Sequence, residues 1–150
     1  MASTSDDAVL DRADVLCRAR GVKLTAQRRR VLAILCASPR PLGAYEILDA
    51  MREGTRTLAP PTVYRALDFL LEQGLVHKLE SLHAFVGCSH PEHPHSSQFL
   101  ICKTCGAVAE IEDEAIARSL GSAASMSGFQ PQRRVVEVIG TCAGCAQKGR

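Results

Sequence analysis

A chain of 150 residues that is 46% apolar and 23% charged has the length of one domain or two small modules and the make-up of a globular protein; at 4% aromatic with no tryptophan, its core must be aliphatic. There is no uninterrupted apolar run of about 18 residues, and the start MASTSDDAV lacks a basic segment followed by an apolar one. Neither a membrane span nor an export signal is therefore expected, and the cytoplasm is the expected compartment. Cytosolic thiol systems keep cysteines reduced, so the seven cysteines, an odd count, point to metal rather than to a disulfide framework. The net charge of +2 conceals a basic segment. Between Arg18 and Arg65 stand Arg18, Arg20, Lys23, Arg28, Arg29, Arg30, Arg40, Arg52, Arg56 and Arg65 against Glu46, Asp49 and Glu53, ten against three for a local +7, which suits a polyanionic partner.

In chain order, the first helix is predicted over roughly Asp6 to Arg20, stopped by Gly21. Thr25 is the expected N-cap of TAQRRRVLAILCAS, with Val31, Ile34 and Leu35 on one face and Arg28, Arg29 and Arg30 in its first turns; Pro39 and Pro41 end it. A short third helix, GAYEILDAMRE, turns Ala44, Ile47, Leu48 and Met51 inward, and GTRTLAPP is a loop. The fourth, PPTVYRALDFLLEQG, opens on proline and closes at Gly74. Val63, Ala66, Leu67, Leu70 and Leu71 follow the helical repeat, which forces Thr62, Tyr64, Arg65 and Asp68 to the other side. LVHKLESLHAFVGC then reads as a hairpin turning near Glu80 and Ser81, and helices followed by a hairpin outline a winged helix. SHPEHPHSS is too polar and proline-broken for an element and is a linker or metal loop, so a module boundary is placed between Cys88 and His95. Beyond it QFLIC, AVAEI and RRVVEVI are predicted strands around a helix spanning about Asp113 to Ser125.

Cys102-Lys-Thr-Cys105 and Cys142-Ala-Gly-Cys145 are two knuckles whose two-residue gaps aim both thiolates at one ion. Together they complete a tetrahedral four-cysteine shell with bonds of about 2.3 Å. Their separation exceeds the roughly 15 to 20 residues of a simple zinc ribbon, so it must hold a strand, a helix and a strand. A redox role is the weaker reading, because neither pair is expected between a strand and a helix start in a βαβ pattern. Four sulfurs leave no position for water, which makes this zinc structural. Cys17 and Cys36, inside amphipathic helices, read as small buried hydrophobes. Cys88 lies beside a histidine-rich loop, where one thiolate, two imidazoles and one carboxylate would make a second, charge-neutral zinc shell; the charge arithmetic alone does not choose the histidines.

LTAQR in the second helix, PPTVYRALDFLLEQGLVHKLES, and FLICKTCGAVAEI followed by CAGC together resemble the ferric uptake regulator family, most closely its zinc uptake regulator branch, from about Leu24 to Cys145. The resemblance implies an α+β protein: an N-terminal winged helix-turn-helix DNA-binding domain (1–86), a hinge and metal loop (87–95), and a C-terminal α/β dimerisation domain with the four-cysteine zinc site (96–150). It further implies a homodimer and a regulatory zinc held by His77, Cys88, His95 and Glu110. The thiolate in that set favours zinc over ferrous iron. Many relatives carry a cluster such as HHDH ahead of the first knuckle, feeding another metal site. This chain has PHSSQ, which argues against a third site there. His90 and His93 match no ligand position and read as solvated loop residues, with weak zinc capture or ligand exchange as the alternative; His83, placed in the second wing strand, reads as structural.

A recognition helix in the major groove presents its N-terminal residues to base edges. Here those are Thr62, Tyr64 and Arg65, with Arg65 expected to read guanine through its two-pronged fork. Arg28, Arg29, Arg30 and Tyr45 are expected at phosphates. The expected function is zinc-dependent repression of zinc-uptake genes at a palindromic operator, with two zinc ions per subunit and no small-molecule substrate. Sensing of iron, manganese, nickel or peroxide is the in-family alternative. An enzyme is not expected. His90-Pro-Glu92 and Cys102-x-x-Cys105 faintly echo zinc deaminases, but Ile101 stands where proline should be and the second knuckle closes the metal to water.

Overall fold

The structure, a computed structural model, describes residues 4–52, 58–92, 97–132 and 134–149. Its chain divides into two compact units, 1–93 and 94–150. Among the described residues no helix is long and apolar enough to cross a membrane.

The first unit opens with α1 (Thr4–Ala19), whose Leu10, Ala13 and Cys17 fall on one stripe and are all buried. It ends where Gly21 takes φ +72°, letting the Gly21 and Val22 amides return to the carbonyls of Arg18 and Cys17. Gly74 (φ +68°) closes α4 in the same way, its own amide and that of Leu75 reaching Leu71 and Leu70. In α2 (Ala26–Ala37) the Thr25 hydroxyl accepts the Arg28 amide at 3.4 Å, the expected N-cap. The inward face differs from the expectation: Val31, Leu32 and Leu35 are buried and Ile34 only partly. At about 100° per residue Leu35 projects between Val31 and Leu32, so these three make one stripe and Ile34 falls off its edge. Apolar spacing alone cannot choose between two overlapping stripes.

The short α3 (Ala44–Met51) buries Ile47, Leu48 and Met51. The Glu46 carboxylate accepts the Gly43 amide at 2.8 Å and Arg40 at 2.7 Å, fixing the helix start. Residues 53–57, which include the first half of the predicted loop GTRTLAPP, lie outside the described residues. Two prolines open α4 (Pro60–Glu72), which buries Val63, Ala66, Leu67 and Leu70, with Leu71 half-buried. The inner faces of all four helices meet Leu75, Val76 and Phe85 in one aliphatic core.

The hairpin pairs β1 (Val76–Leu79) with β2 (Ala84–Gly87), antiparallel, His77 opposite Val86. Its turn is one tight 3-10 turn, Glu80–Leu82, followed by His83 at φ +48°, ψ +44°. His83 thus sits exposed at the turn rather than in the second strand, in a left-handed conformation that histidine adopts more readily than bulkier residues. Leu42, between α2 and α3, exchanges two backbone hydrogen bonds with Phe85 and lashes the hairpin to the helices. The helices and hairpin form a winged helix-turn-helix.

The second unit is a three-stranded sheet of order β4-β3-β5, with β3 (Ser97–Cys102) antiparallel to β4 (Val108–Glu112) and parallel to β5 (Glu137–Gly140). The crossover from β4 to β5 runs through α5 (Glu114–Met126), capped by the Asp113 carboxylate on the amides of Ala115 and Ile116. The last strand is shorter than RRVVEVI, and α6 (Ala143–Lys148) was not predicted. Among the described residues of this unit, Phe99, Ile101, Cys102 and Gln98 are buried; the Gln98 side-chain carbonyl accepts the Asp113 amide at 3.0 Å.

Candidate metal centre and nucleic-acid interface

Parallel pairing builds the thiolate centre. Cys102, the last residue of β3, lies in register with Gly140 at the end of β5, so the chain leaves both strands at one end of the sheet carrying its two knuckles. The first knuckle turns tightly through Gly106 at φ +76°, whose amide bonds the Cys102 carbonyl at 2.9 Å. The second starts at Cys142, the N-cap of α6, with Cys145 in its first turn. The sulfurs of Cys102, Cys105, Cys142 and Cys145 all lie within 4.8 Å of one another, and those of Cys105 and Cys142 are 3.8 Å apart.

The backbone prepares this cluster for a cation. The Cys142 amide donates to the Cys102 sulfur at 3.3 Å, and with the Cys105 and Thr104 amides it lowers the Cys102 thiol to about 5. Cys145 is pushed up to about 12, foremost by hydrogen bonding with the sulfur of Cys142 and then that of Cys105. Those backbone amides favour the anionic form of Cys102, and a cation at the centre would favour the thiolate form at all four positions. The four donors fit zinc, which prefers a closed tetrahedral sulfur shell. The Cys142–Cys145 pair follows β5 and opens α6, but no strand follows α6 among the described residues, so the pair does not stand in a βαβ unit, and the convergence of all four sulfurs points to a metal centre.

Within the first unit, the hairpin register explains a second pairing. His77 faces Val86, and Cys88 is two residues further along that strand direction, so His77 and Cys88 share a face as diagonal neighbours. The Cys88 amide donates to Leu75 at 2.9 Å, extending the ladder by one bond and fixing its direction. The ligand atoms of His77 and Cys88 lie within 4.8 Å; Cys88 is 8% exposed and the His77 Nε2 is buried. In the second unit Glu110 sits half-buried on β4, its Oε1 accepting the Ser97 hydroxyl at 2.6 Å. His95 and His93 lie outside the described residues, and His90 is exposed. Cys17 is fully buried and Cys36 partly buried, burial raising both thiols.

On α4 the face opposite the core carries exposed Tyr64 and Arg65 and half-buried Thr62, and Tyr45 is exposed on α3. The α2 arginines are more constrained than their spacing suggests. Arg28 lies 3.8 Å over the Phe69 ring and donates to the Lys23 carbonyl at 2.7 Å. Arg29 pairs with Asp11 at 2.9 Å and donates to the Leu10 carbonyl at 3.3 Å, joining α2 to α1. Arg30 is half-buried on the same turn. Ser97 and the inward engagement of Arg28 and Arg29 escape a reading of the sequence, since each depends on partners brought close only by strand register or helix packing.

A winged helix-turn-helix joined to an α/β unit with a four-cysteine zinc centre defines a metal-binding member of the winged-helix class. Residues 19–139 match the ferric uptake regulator family, and the chain belongs to it. Over 148 residues the chain is 41% identical to the zinc uptake regulation protein of Escherichia coli (strain K12), covering 98% of this chain and 86% of that one. The fold superposes on that of a zinc uptake regulator complexed with zinc and DNA (TM-score 0.94, 40% identity, 98% of this chain and 99% of that one). It also superposes on holo XcZur (TM-score 0.87, 46% identity, 93% and 98%).

Proposed function

We propose that this protein is a zinc-responsive transcriptional repressor that binds a palindromic operator as a homodimer and shuts off zinc-uptake genes when its regulatory site is filled. The observation that carries the reading is the His77–Cys88 pair on the wing, which puts soft metal ligands in the same unit that displays Arg65. The similarity to a zinc uptake regulator bound to zinc and DNA supports the same conclusion. Thr62, Tyr64 and Arg65 face the bases; Tyr45 faces phosphates, and Arg28, Arg29 and Arg30 join it where phosphate competes with their internal partners. The cytoplasm is the matching compartment.

Two zinc ions per subunit serve different ends. Cys102, Cys105, Cys142 and Cys145 hold the structural ion. His77, Cys88, His95 and Glu110 hold the regulatory one, a neutral set of one thiolate, one carboxylate and two imidazoles that tolerates burial. Bound zinc supplies two positive charges and a demand for four ligands. Since these ligands come from both units, filling the site favours the arrangement in which they converge, and DNA in turn tightens zinc. Shifting that arrangement from 1% to 99% takes about 5.5 kcal/mol of differential affinity. The homodimer is supported by an apolar strip on the sheet, where Leu100 (43% exposed) lies in register with Ala109 and Val138 (54% exposed).

The test is a gel shift on the promoter of a neighbouring zinc transporter gene across buffered zinc, repeated with ferrous, manganese and nickel ions and peroxide. Cys88→Ser should keep one zinc per subunit yet gain no DNA affinity on adding zinc. If that variant responds as the parent does, the regulatory assignment is wrong; if another metal alone drives the shift, the in-family alternative is right.

A further inference from the structure

The second unit holds a hydrogen bond that neither metal assignment uses. Ser97 opens β3 directly opposite Glu112, and Phe99 is opposite Glu110, so alternation of side chains along each strand puts Ser97 and Glu110 on one face, diagonally adjacent across the ladder. The Ser97 hydroxyl reaches Glu110 Oε1 at 2.6 Å, the short distance expected of a hydroxyl donating to a carboxylate. Both side chains are half-buried, where such a bond is less exposed to competition from water than on an open surface.

We propose that Ser97 is a positioning residue for the regulatory zinc, holding the Glu110 carboxylate so that its other oxygen is presented to the metal. The inference rests on the reading of Glu110 as a regulatory ligand. A free glutamate samples several rotamers and can ligate through one oxygen or both, and each choice must be given up when a four-coordinate shell forms. With Oε1 committed to the hydroxyl and the carboxyl plane turned by a strand-borne donor, that choice is made before the metal arrives. Groups that orient ligands in this way change metal affinity by about 10- to 100-fold.

Ser97→Thr and Ser97→Val test it in the full-length protein loaded at the four-cysteine site. The two replacements have nearly the same shape and suit a strand equally, but only threonine keeps the hydroxyl. The readouts are affinity of the second zinc by chelator competition and the absorption spectrum of cobalt at that site. Threonine should stay within a few-fold of the parent. Valine should bind the second zinc about 10- to 100-fold more weakly, with altered cobalt ligand-field bands but the thiolate-to-cobalt charge transfer of Cys88 retained. Valine matching threonine in both readouts overturns the role of the hydroxyl. The underlying reading fails separately: Cys88→Ser and Glu110→Gln would then both keep the parent's affinity for the second zinc.

Discussion

Replacing Cys102 with serine tests how the second unit is held together. Among its described residues only Phe99, Ile101 and Cys102 are buried apolar side chains, and α5 buries none completely. Full burial of one such side chain stabilises by about 1.5–3 kcal/mol, whereas a structural zinc in a small domain contributes about 10–16 kcal/mol of folding free energy. The ion therefore outweighs the apolar interior of this unit. Serine removes the sulfur on which the Cys142 amide converges and leaves a three-thiolate shell. The expected outcome is loss of the structural zinc and protease sensitivity confined to the region after residue 94, while the first unit, with its own continuous core, stays folded. Zinc content by metal analysis, limited proteolysis with mass spectrometry, and far-ultraviolet circular dichroism check it. A Cys102→Ser protein with full zinc content and unchanged proteolysis would refute the claim that the metal, rather than apolar packing, secures this unit.

Arg65→Ala should weaken operator binding by about 1–3 kcal/mol while barely changing affinity for random DNA, measured by competition gel shift; equal losses on both would remove Arg65 from base reading. Arg29→Ala breaks the bonds to Asp11 and Leu10, so it should lower the melting temperature slightly as well as weaken all DNA alike, and an unchanged thermal midpoint would show that the α1–α2 tie is idle. Gly87→Ala sets a methyl group 3.0 Å from the Cys36 sulfur and should cost about 1–3 kcal/mol in denaturant unfolding, with Cys36→Ala restoring most of it; no rescue would mean the strain lies elsewhere. Val138→Glu, on the exposed sheet strip, should shift the protein towards monomer in analytical ultracentrifugation and reduce operator affinity with it, and a dimer of parental stability would move the interface off that strip.

What the sequence made legible followed from how local its physics is. The inner face of α4 could be read directly because five apolar residues, a proline start and a glycine stop all agreed, and the two Cys-x-x-Cys pairs could be read because a two-residue gap sets their geometry without help from the rest of the chain. Features that depend on remote partners could not be read. Leu42 pairs with Phe85, Arg28 stacks on Phe69 and Ser97 bonds Glu110, each across a gap that only packing or register closes. The helix α6 went unseen for a different reason: six residues of small and polar type carry no periodicity, and what holds its start is the Cys142 sulfur accepting the Cys145 amide at 3.5 Å.

The same contrast separates the two proposed metal sites in kind. At the four-cysteine centre, Cys105 is exposed and Cys142 and Cys145 half-exposed, so a shell of four thiolates around a divalent ion, with its net negative charge, keeps contact with water and is not stranded in an apolar interior. Its ligands sit on a unit with few buried side chains among the described residues, so in the proposed structural role occupancy and folding are one equilibrium, and such a site would not empty without dismantling its surroundings. The His77–Cys88 pair stands instead on a hairpin secured by the Leu42–Phe85 bonds and the helical core. In the proposed regulation, binding there would not have to supply the folding energy of the hairpin, so occupancy could follow the concentration of free zinc and bias DNA binding. On that proposal, rigidity of the β1–β2 hairpin is part of the set point. Leu42→Gly, which removes a partly buried side chain and loosens that pairing, should weaken the regulatory zinc while leaving the structural zinc in place, a difference that metal competition on the intact protein can measure.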